Sequence, residues 1–314
     1  MNNTPIIFVD DLTKDYGEGR GVFDVTFQIP KSEVFGFLGP NGAGKSTTIR
    51  HLMGFSKPDK GETEIFGLES FKNYYKFLNK VGYIPGEIAL PAGLTGFEFI
   101  KMMQDMQGIH DNDRVRQILN TFSLEDNILK GDTKKMSLGQ KRKLAITVAF
   151  MHDPEVLIMD EPTSGLDPIM QEVFINVVKK EKERGKTILL SSHIFSEVDA
   201  TCDRISIIKD GRLVSTFVAN DLKHAAVKYY DVFFKTPAMA ETFIKDIGKY
   251  KYCTIVNHDL KQANVFLAIN DKDINRLVKG LTKYEIVDFS NRKESLEDYF
   301  MKFYKEDKKY GGAL

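Results

Sequence analysis

Cysteine is scarce in this chain of 314 residues, charge is balanced, and no apolar run is long. Each of these excludes something. The two cysteines, Cys202 and Cys253, lie far apart and match no metal-ligand spacing, which fits a reduced, cytosolic protein. Formal charge is zero, from 44 basic and 44 acidic residues, so the balance offers no electrostatic footprint for nucleic acid or an anionic membrane. No stretch approaches the roughly 18–20 apolar residues that span a bilayer, and nothing at the N-terminus resembles a signal peptide. Any membrane role is therefore expected to come through a partner chain. With 42% hydrophobic and 28% charged residues, the composition is that of an ordinary globular protein, on a chain long enough for a second, smaller domain.

The most informative stretch is Gly39-Pro40-Asn41-Gly42-Ala43-Gly44-Lys45-Ser46-Thr47, which fits the phosphate-binding pattern G-x-x-x-x-G-K-[ST]. Its glycines let successive backbone N–H groups turn inward around a polyphosphate with no Cβ in the way. Lys45 adds a point charge that reaches the outer phosphates, and the Ser46 hydroxyl is placed to hold Mg²⁺ between them. The context agrees. Residues 33–38 read as a short apolar strand, and 45–55 as a helix whose N-terminus faces the anion. No second copy of this motif and no internal repeat occurs.

Strands are expected at 6–9, 22–29, 63–66 and 81–84, with a loop at 16–21, a turn at 57–61 and a helix at 70–79. From 95 to 152 the pattern is mainly helical, which reads as a helical subdomain inserted into an alternating α/β order. Residues 156–161 and 187–191 read as strands buried on both faces, as in a parallel sheet. Between them, 168–184 is a helix with Pro168 at its start and Gly185 past its end. A hairpin follows at 204–217. The expected division is 1–225 and 226–314, with a linker near 220–227. The second part reads strand 229–235, helix 237–247, strands 251–257 and 263–269, helix 271–282, strand 284–290 and helix 295–306. That order, βαββαβ, is the split ferredoxin-like unit, an α+β module.

Asp160 and Glu161 end the strand at 156–161. In an open α/β sheet the carboxyl ends of the strands gather at one edge, so Asp160 is expected beside the nucleotide as a Mg²⁺ ligand. Glu161, one residue on, is placed to orient or deprotonate water. The run continues as Pro162-Thr163-Ser164-Gly165-Leu166-Asp167-Pro168, and the whole closely resembles the Walker B and D-loop segment of ABC-type ATPases. Met136-Ser137-Leu138-Gly139-Gln140-Lys141-Arg142 resembles their signature L-S-G-G-Q, at the start of a helix, and Ser191-Ser192-His193 resembles their switch-histidine loop. Tyr16 lies where the family places an aromatic that stacks on adenine. The resemblance covers about residues 5–225.

The resemblance implies a P-loop ATPase of ABC type that uses ATP and Mg²⁺. Lys45, Glu161 and His193 would be catalytic, and Ser46 and Asp160 would hold the metal. Nucleotide contacts would come from 39–47, Tyr16, Ser137, Gly139, Gln140 and Asp167. It also implies a head-to-tail dimer, each nucleotide lying between the P-loop of one subunit and the signature of the other, and a separate transmembrane permease. The chain would then sit at the cytoplasmic face of the membrane, held there by the permease. No nucleic-acid partner is expected. Two departures stand out. Leu138 replaces the first signature glycine, and Gly86, in Tyr83-Ile84-Pro85-Gly86-Glu87, occupies the position of a glutamine that touches Mg²⁺ or its water. Glu87 is either a water-mediated substitute or a solvated acid, and position 86 is expected to accept a polar side chain. The Pro-Gly-Glu loop and a C-terminal module ending in residues 295–300 resemble exporters of drugs, antibiotics or peptides. The alternatives are a soluble ABC ATPase acting on ribosomes or DNA, and a regulatory ABC protein.

Overall fold

Short apolar runs supply the buried strands on which the molecule is built. In the computed structural model, residues 4–108, 110–223, 227–247 and 252–292 are described, together with Leu296 and Phe300. The chain begins β1 (Ile7–Asp15), β2 (Gly21–Ile29), β3 (Val34–Leu38), α1 (Lys45–Leu52), β4 (Lys60–Ile65), β5 (Leu68–Glu69), α2 (Ser70–Phe77) and β6 (Val81–Ile84). Four helices follow, α3 (Gly96–Gln107), α4 (Asn112–Thr121), α5 (Asp126–Leu129) and α6 (Leu138–Phe150). Then come β7 (Val156–Asp160), α7 (Pro168–Glu183), β8 (Thr187–Ser192), α8 (Phe195–Thr201), β9 (Arg204–Lys209), β10 (Arg212–Val218) and α9 (Ala219–Lys223). The contacts divide the chain into two units, 1–219 and 220–314. The stretch read as a linker therefore carries most of the short helix α9.

The first unit holds two sheets. One is antiparallel, in the order β2-β1-β4-β5; the other has six strands in the order β10-β9-β3-β8-β7-β6. Within the second, β3, β8, β7 and β6 run parallel as neighbours. Every residue of β3, β7 and β8 is buried, which is why their centres are apolar without alternation. The sheets share one core. Phe27 of β2 stacks on Phe35 of β3 with ring centroids 5.1 Å apart. The helical block from α3 to α6 lies in sequence between β6 and β7, which pair directly, so it is an insertion into the sheet order. It has its own core, with Phe99, Ile100, Leu119, Leu129 and Leu144 among its buried members.

The second unit runs β11 (Val227–Phe234), α10 (Pro237–Ile247), β12 (Cys253–Asp259), β13 (Asn264–Asn270), α11 (Ile274–Leu281) and β14 (Ile286–Arg292). Its four strands lie in the order β12-β13-β11-β14, all antiparallel. This is the split β-α-β arrangement that the βαββαβ order implies. Val232, Phe234, Val265 and Leu267 point to one face and pack with Ala240, Phe243, Leu277 and Leu281 of the two helices. The expected helix 295–306, and with it most of the 295–300 motif, lies outside the described residues.

Candidate active site

Four loops leave the carboxyl ends of four adjacent parallel strands. β3 leads into the P-loop, β8 into His193, β7 into Glu161, and β6 into Pro85-Gly86-Glu87. The sheet thus converges residues that lie more than a hundred positions apart in the chain. Asn41, Ser46, Asp160, Glu161 and His193 line one pocket of about 360 Å³. Arg50, Tyr83, Pro85, Gly86, Glu87 and Ser164 complete its wall. Burial pushes the Tyr83 phenol up to about 12, with the Asp160 charge adding to the effect.

The P-loop turns through glycines where a side chain would not fit. Gly44 has φ of 108° and a Cβ there would lie 2.7 Å from Val22 Cγ1. Gly39 has no such φ, but its Cβ would lie 2.4 Å from the carbonyl oxygen of Ile208. Lys45 is 5% exposed and folds back over the loop, its Nζ donating to the carbonyls of Gly39 at 2.6 Å and Pro40 at 3.0 Å. The same ammonium lies 3.1 Å from Glu161 Oε1. That contact is an ion pair rather than a directed hydrogen bond, since Oε1 is buried without a hydrogen-bond donor. Glu161 Oε2 meets His193 Nδ1 at 2.6 Å. Lysine, glutamate and histidine form one chain across the pocket.

Glu161 owes its direction to backbone geometry. Its φ is +49°, the left-handed region that costs a side-chain-bearing residue about 1 kcal/mol or more. The turn is held by its N–H donating to Ser191 O at 3.1 Å and by its carbonyl accepting from Ser164 N at 3.1 Å. Asp160, still in the strand and 2% exposed, accepts from the Ser191 hydroxyl on Oδ1. On its Oδ2 side stands Gly86, where a Cβ would lie only 2.9 Å from that oxygen. A side chain at position 86 therefore requires the Asp160 carboxylate to shift.

The profile of the ABC transporter family matches residues 22–164, from β2 through the P-loop to Ser164. The bacitracin transport ATP-binding protein of Bacillus licheniformis is 35% identical over 304 residues, spanning 95% of this chain and 96% of that protein. The chain belongs to the ABC transporter ATP-binding family. It superposes on a solved ATP-binding subunit of an ABC transporter with a TM-score of 0.64 at 31% identity, covering 70% of this chain and 92% of that one. A dimeric bacterial ABC transporter cassette gives a TM-score of 0.62 at 25% identity, covering 68% and 98%. The α/β fold of an ATP-hydrolysing cassette, expected from the motifs, is thereby established, as is ATP as the nucleotide.

Other expected contacts lie outside the pocket. Tyr16 is 51% exposed, with Lys14 Nζ 5.9 Å from its ring centroid, so its ring is not packed into the core. Ser137 caps α6: its hydroxyl accepts from Gln140 N at 3.2 Å while Gln140 Oε1 accepts from Ser137 N at 2.9 Å. Asp167 likewise caps α7, accepting from Met170 N at 2.9 Å. Leu138 is 55% exposed, and a Cβ on Gly139 would lie 2.8 Å from the Gly165 carbonyl, so the signature and D-loop segments touch. Two residues escaped the motif reading. Ser191 was read only as part of the histidine loop, yet its hydroxyl and carbonyl fix both acids. Arg142 was read only as the end of the signature. Its helical spacing to Ile146 and Ala149, both buried, is the signal that places it on an inward face.

Proposed function

We propose that the chain is the ATP-hydrolysing subunit of an exporter, working as a dimer and powering a separate membrane subunit for a drug, antibiotic or peptide. The observation that carries the reading is that Ser46, Asp160, Glu161 and His193 line one pocket, with Lys45 ion-paired to Glu161 and Glu161 in turn bonded to His193. The bacitracin transport relative supports the substrate class, and its alignment extends through the second unit. No helix among the described residues is long and apolar enough to cross a membrane, so transport would pass through another chain, with this one peripheral at the cytoplasmic face. The dimeric cassette supports the assembly, in which Ser137, Gly139 and Gln140 would meet the nucleotide of the partner.

The donor set suits Mg²⁺. Ser46 and Asp160 offer hard oxygens to one pocket, and Asp160 Oδ2 faces a glycine rather than a side chain. Bound there, the ion would neutralise charge building on the phosphates. Phosphate oxygens entering the P-loop would compete with Glu161 and two carbonyls for Lys45. Drawing Lys45 away leaves Glu161 anchored through Oε2 to His193, with Oε1 free to take a proton from water. Tyr16 is exposed where an adenine ring would find a stacking face. The decisive test is copurification of the tagged chain with a membrane protein and ATP hydrolysis by that complex. Copurification with ribosomes instead would contradict the transport reading. Lys45→Ala should weaken ATP binding by about one to two decades, since a charge-assisted contact is worth roughly 1.5–3 kcal/mol.

A further inference from the structure

Arg142 is 1% exposed, the bulkiest fully buried side chain among the described residues. It lies one turn into α6, on the face shared with Ile146 and Ala149. Burying a guanidinium is costly unless every donor direction is satisfied. Here each of its three nitrogens donates to a backbone oxygen. Nη1 donates to Pro85 O at 2.8 Å, Nη2 to Gly86 O at 2.8 Å and Nε to Ser164 O at 3.0 Å. Two of these belong to the loop after β6 and one to the loop after β7. Burial pulls the Arg142 pKa below the ordinary arginine value, and the charges of Asp160 and Glu161 oppose that pull.

Each loop that Arg142 holds adjoins one of the site carboxylates. The Gly86 backbone is close enough to Asp160 that a Cβ would lie 2.9 Å from Oδ2, so any displacement of this loop changes the room around that oxygen. Ser164 N donates to Glu161 O, so holding Ser164 holds the left-handed turn that aims Glu161. Residue 86 has no side chain, and the loop offers Arg142 only its carbonyls.

We propose that Arg142 is a positioning residue for ATP hydrolysis: its guanidinium fixes the loops of Gly86 and Ser164 to each other, and through them the places of Asp160 and Glu161. This rests on the reading of the pocket as the hydrolytic site. Lysine keeps the charge, but its donors sit on one nitrogen and cannot reach carbonyls spread around a planar fork.

The test uses the full chain as wild type, Arg142→Lys and Arg142→Met. Amide hydrogen exchange should rise together at 86–87 and 163–166 in both variants, while the amides of α6 beyond residue 143 stay protected. ATP affinity measured in EDTA should stay within about threefold, because the P-loop is untouched. With Mg²⁺, kcat should fall roughly ten- to a hundredfold with little change in KM, the cost of a small misplacement of reacting groups. Wild-type kcat in both variants would overturn the proposal. So would exchange rising along α6 in step with lost affinity in EDTA, the signature of a packing residue alone. If Arg142→Met does not fold, the lysine variant decides. Wild-type protein that turned over no ATP would instead overturn the reading of the site, and the exchange measurement does not depend on that outcome.

Discussion

Glu197 lies 2% exposed beneath the histidine loop, its Oε2 accepting from the Ser192 hydroxyl at 2.6 Å. Burial pushes its carboxyl up to about 7, against the opposing hydroxyls of Ser192 and Thr163. In the unfolded chain the group ionises near 4.5, so the fold binds a proton that the unfolded chain has released. The stability linked to that proton is complete below about 4.5 and is lost as pH rises through about 7. The shift corresponds to about 3 kcal/mol. Glu197→Gln should therefore gain on wild type by up to that amount between acid and mildly alkaline pH, read from denaturant melts. A difference that does not change with pH would contradict the assignment. Gly86 gives a second prediction at this scale. Gly86→Gln should fold, yet lose Mg²⁺-dependent hydrolysis by about tenfold or more, because its Cβ displaces the Asp160 carboxylate. Glu87 lines the same pocket, and an unchanged Mg²⁺ dependence in Gly86→Gln would mean the loop shifts instead.

Among the elements, α6 joins stability to the site. Its N-terminal turn is closed by the reciprocal Ser137–Gln140 bonds, in the segment that resembles the signature. Ser137→Ala should cost about 1 kcal/mol of stability, and Ser137→Asp should restore most of it, since aspartate caps as well as serine. Urea melts of both variants would show this, and equal losses would contradict the capping role. How far elements could be read from the sequence followed their burial. β3, β7 and β8 are built around unbroken apolar stretches, 34–38, 156–159 and 188–190, because both faces are covered, and all three were legible. β1 was legible only to Val9. It continues to Asp15 through bulges at Asp11 and Thr13, and acidic residues at irregular register carry no strand signal. The short helix α8 falls between two strongly marked strands and was not read. The site acids and P-loop were legible because their spacing is chemical. Arg142 and Ser191 were not, because their roles are contacts to backbone that only the fold brings near.

At the scale of the whole molecule, the pocket is lined by Asn41 and Ser46 of the P-loop and by both acids, but by none of Ser137, Gly139 and Gln140. A second copy would complete it. Glu161→Gln keeps the size and reach of the side chain but cannot act as a base, and it removes a negative charge beside bound ATP. Size-exclusion of this variant with Mg-ATP should show a dimer that ADP does not support. Adding Ser137→Arg should abolish it by placing bulk and charge in the joint. Dimerisation untouched by Ser137→Arg would contradict the head-to-tail arrangement.

The central claim, that this pocket hydrolyses ATP with Glu161 as base, is tested most directly by a single-turnover assay of wild type against Glu161→Gln, with ATP prebound and Mg²⁺ present. The account predicts equal ATP occupancy and a hydrolysis rate lower by about 10²–10⁴ in the variant, the range for loss of a positioned general base. Hydrolysis by Glu161→Gln at the wild-type rate would contradict it.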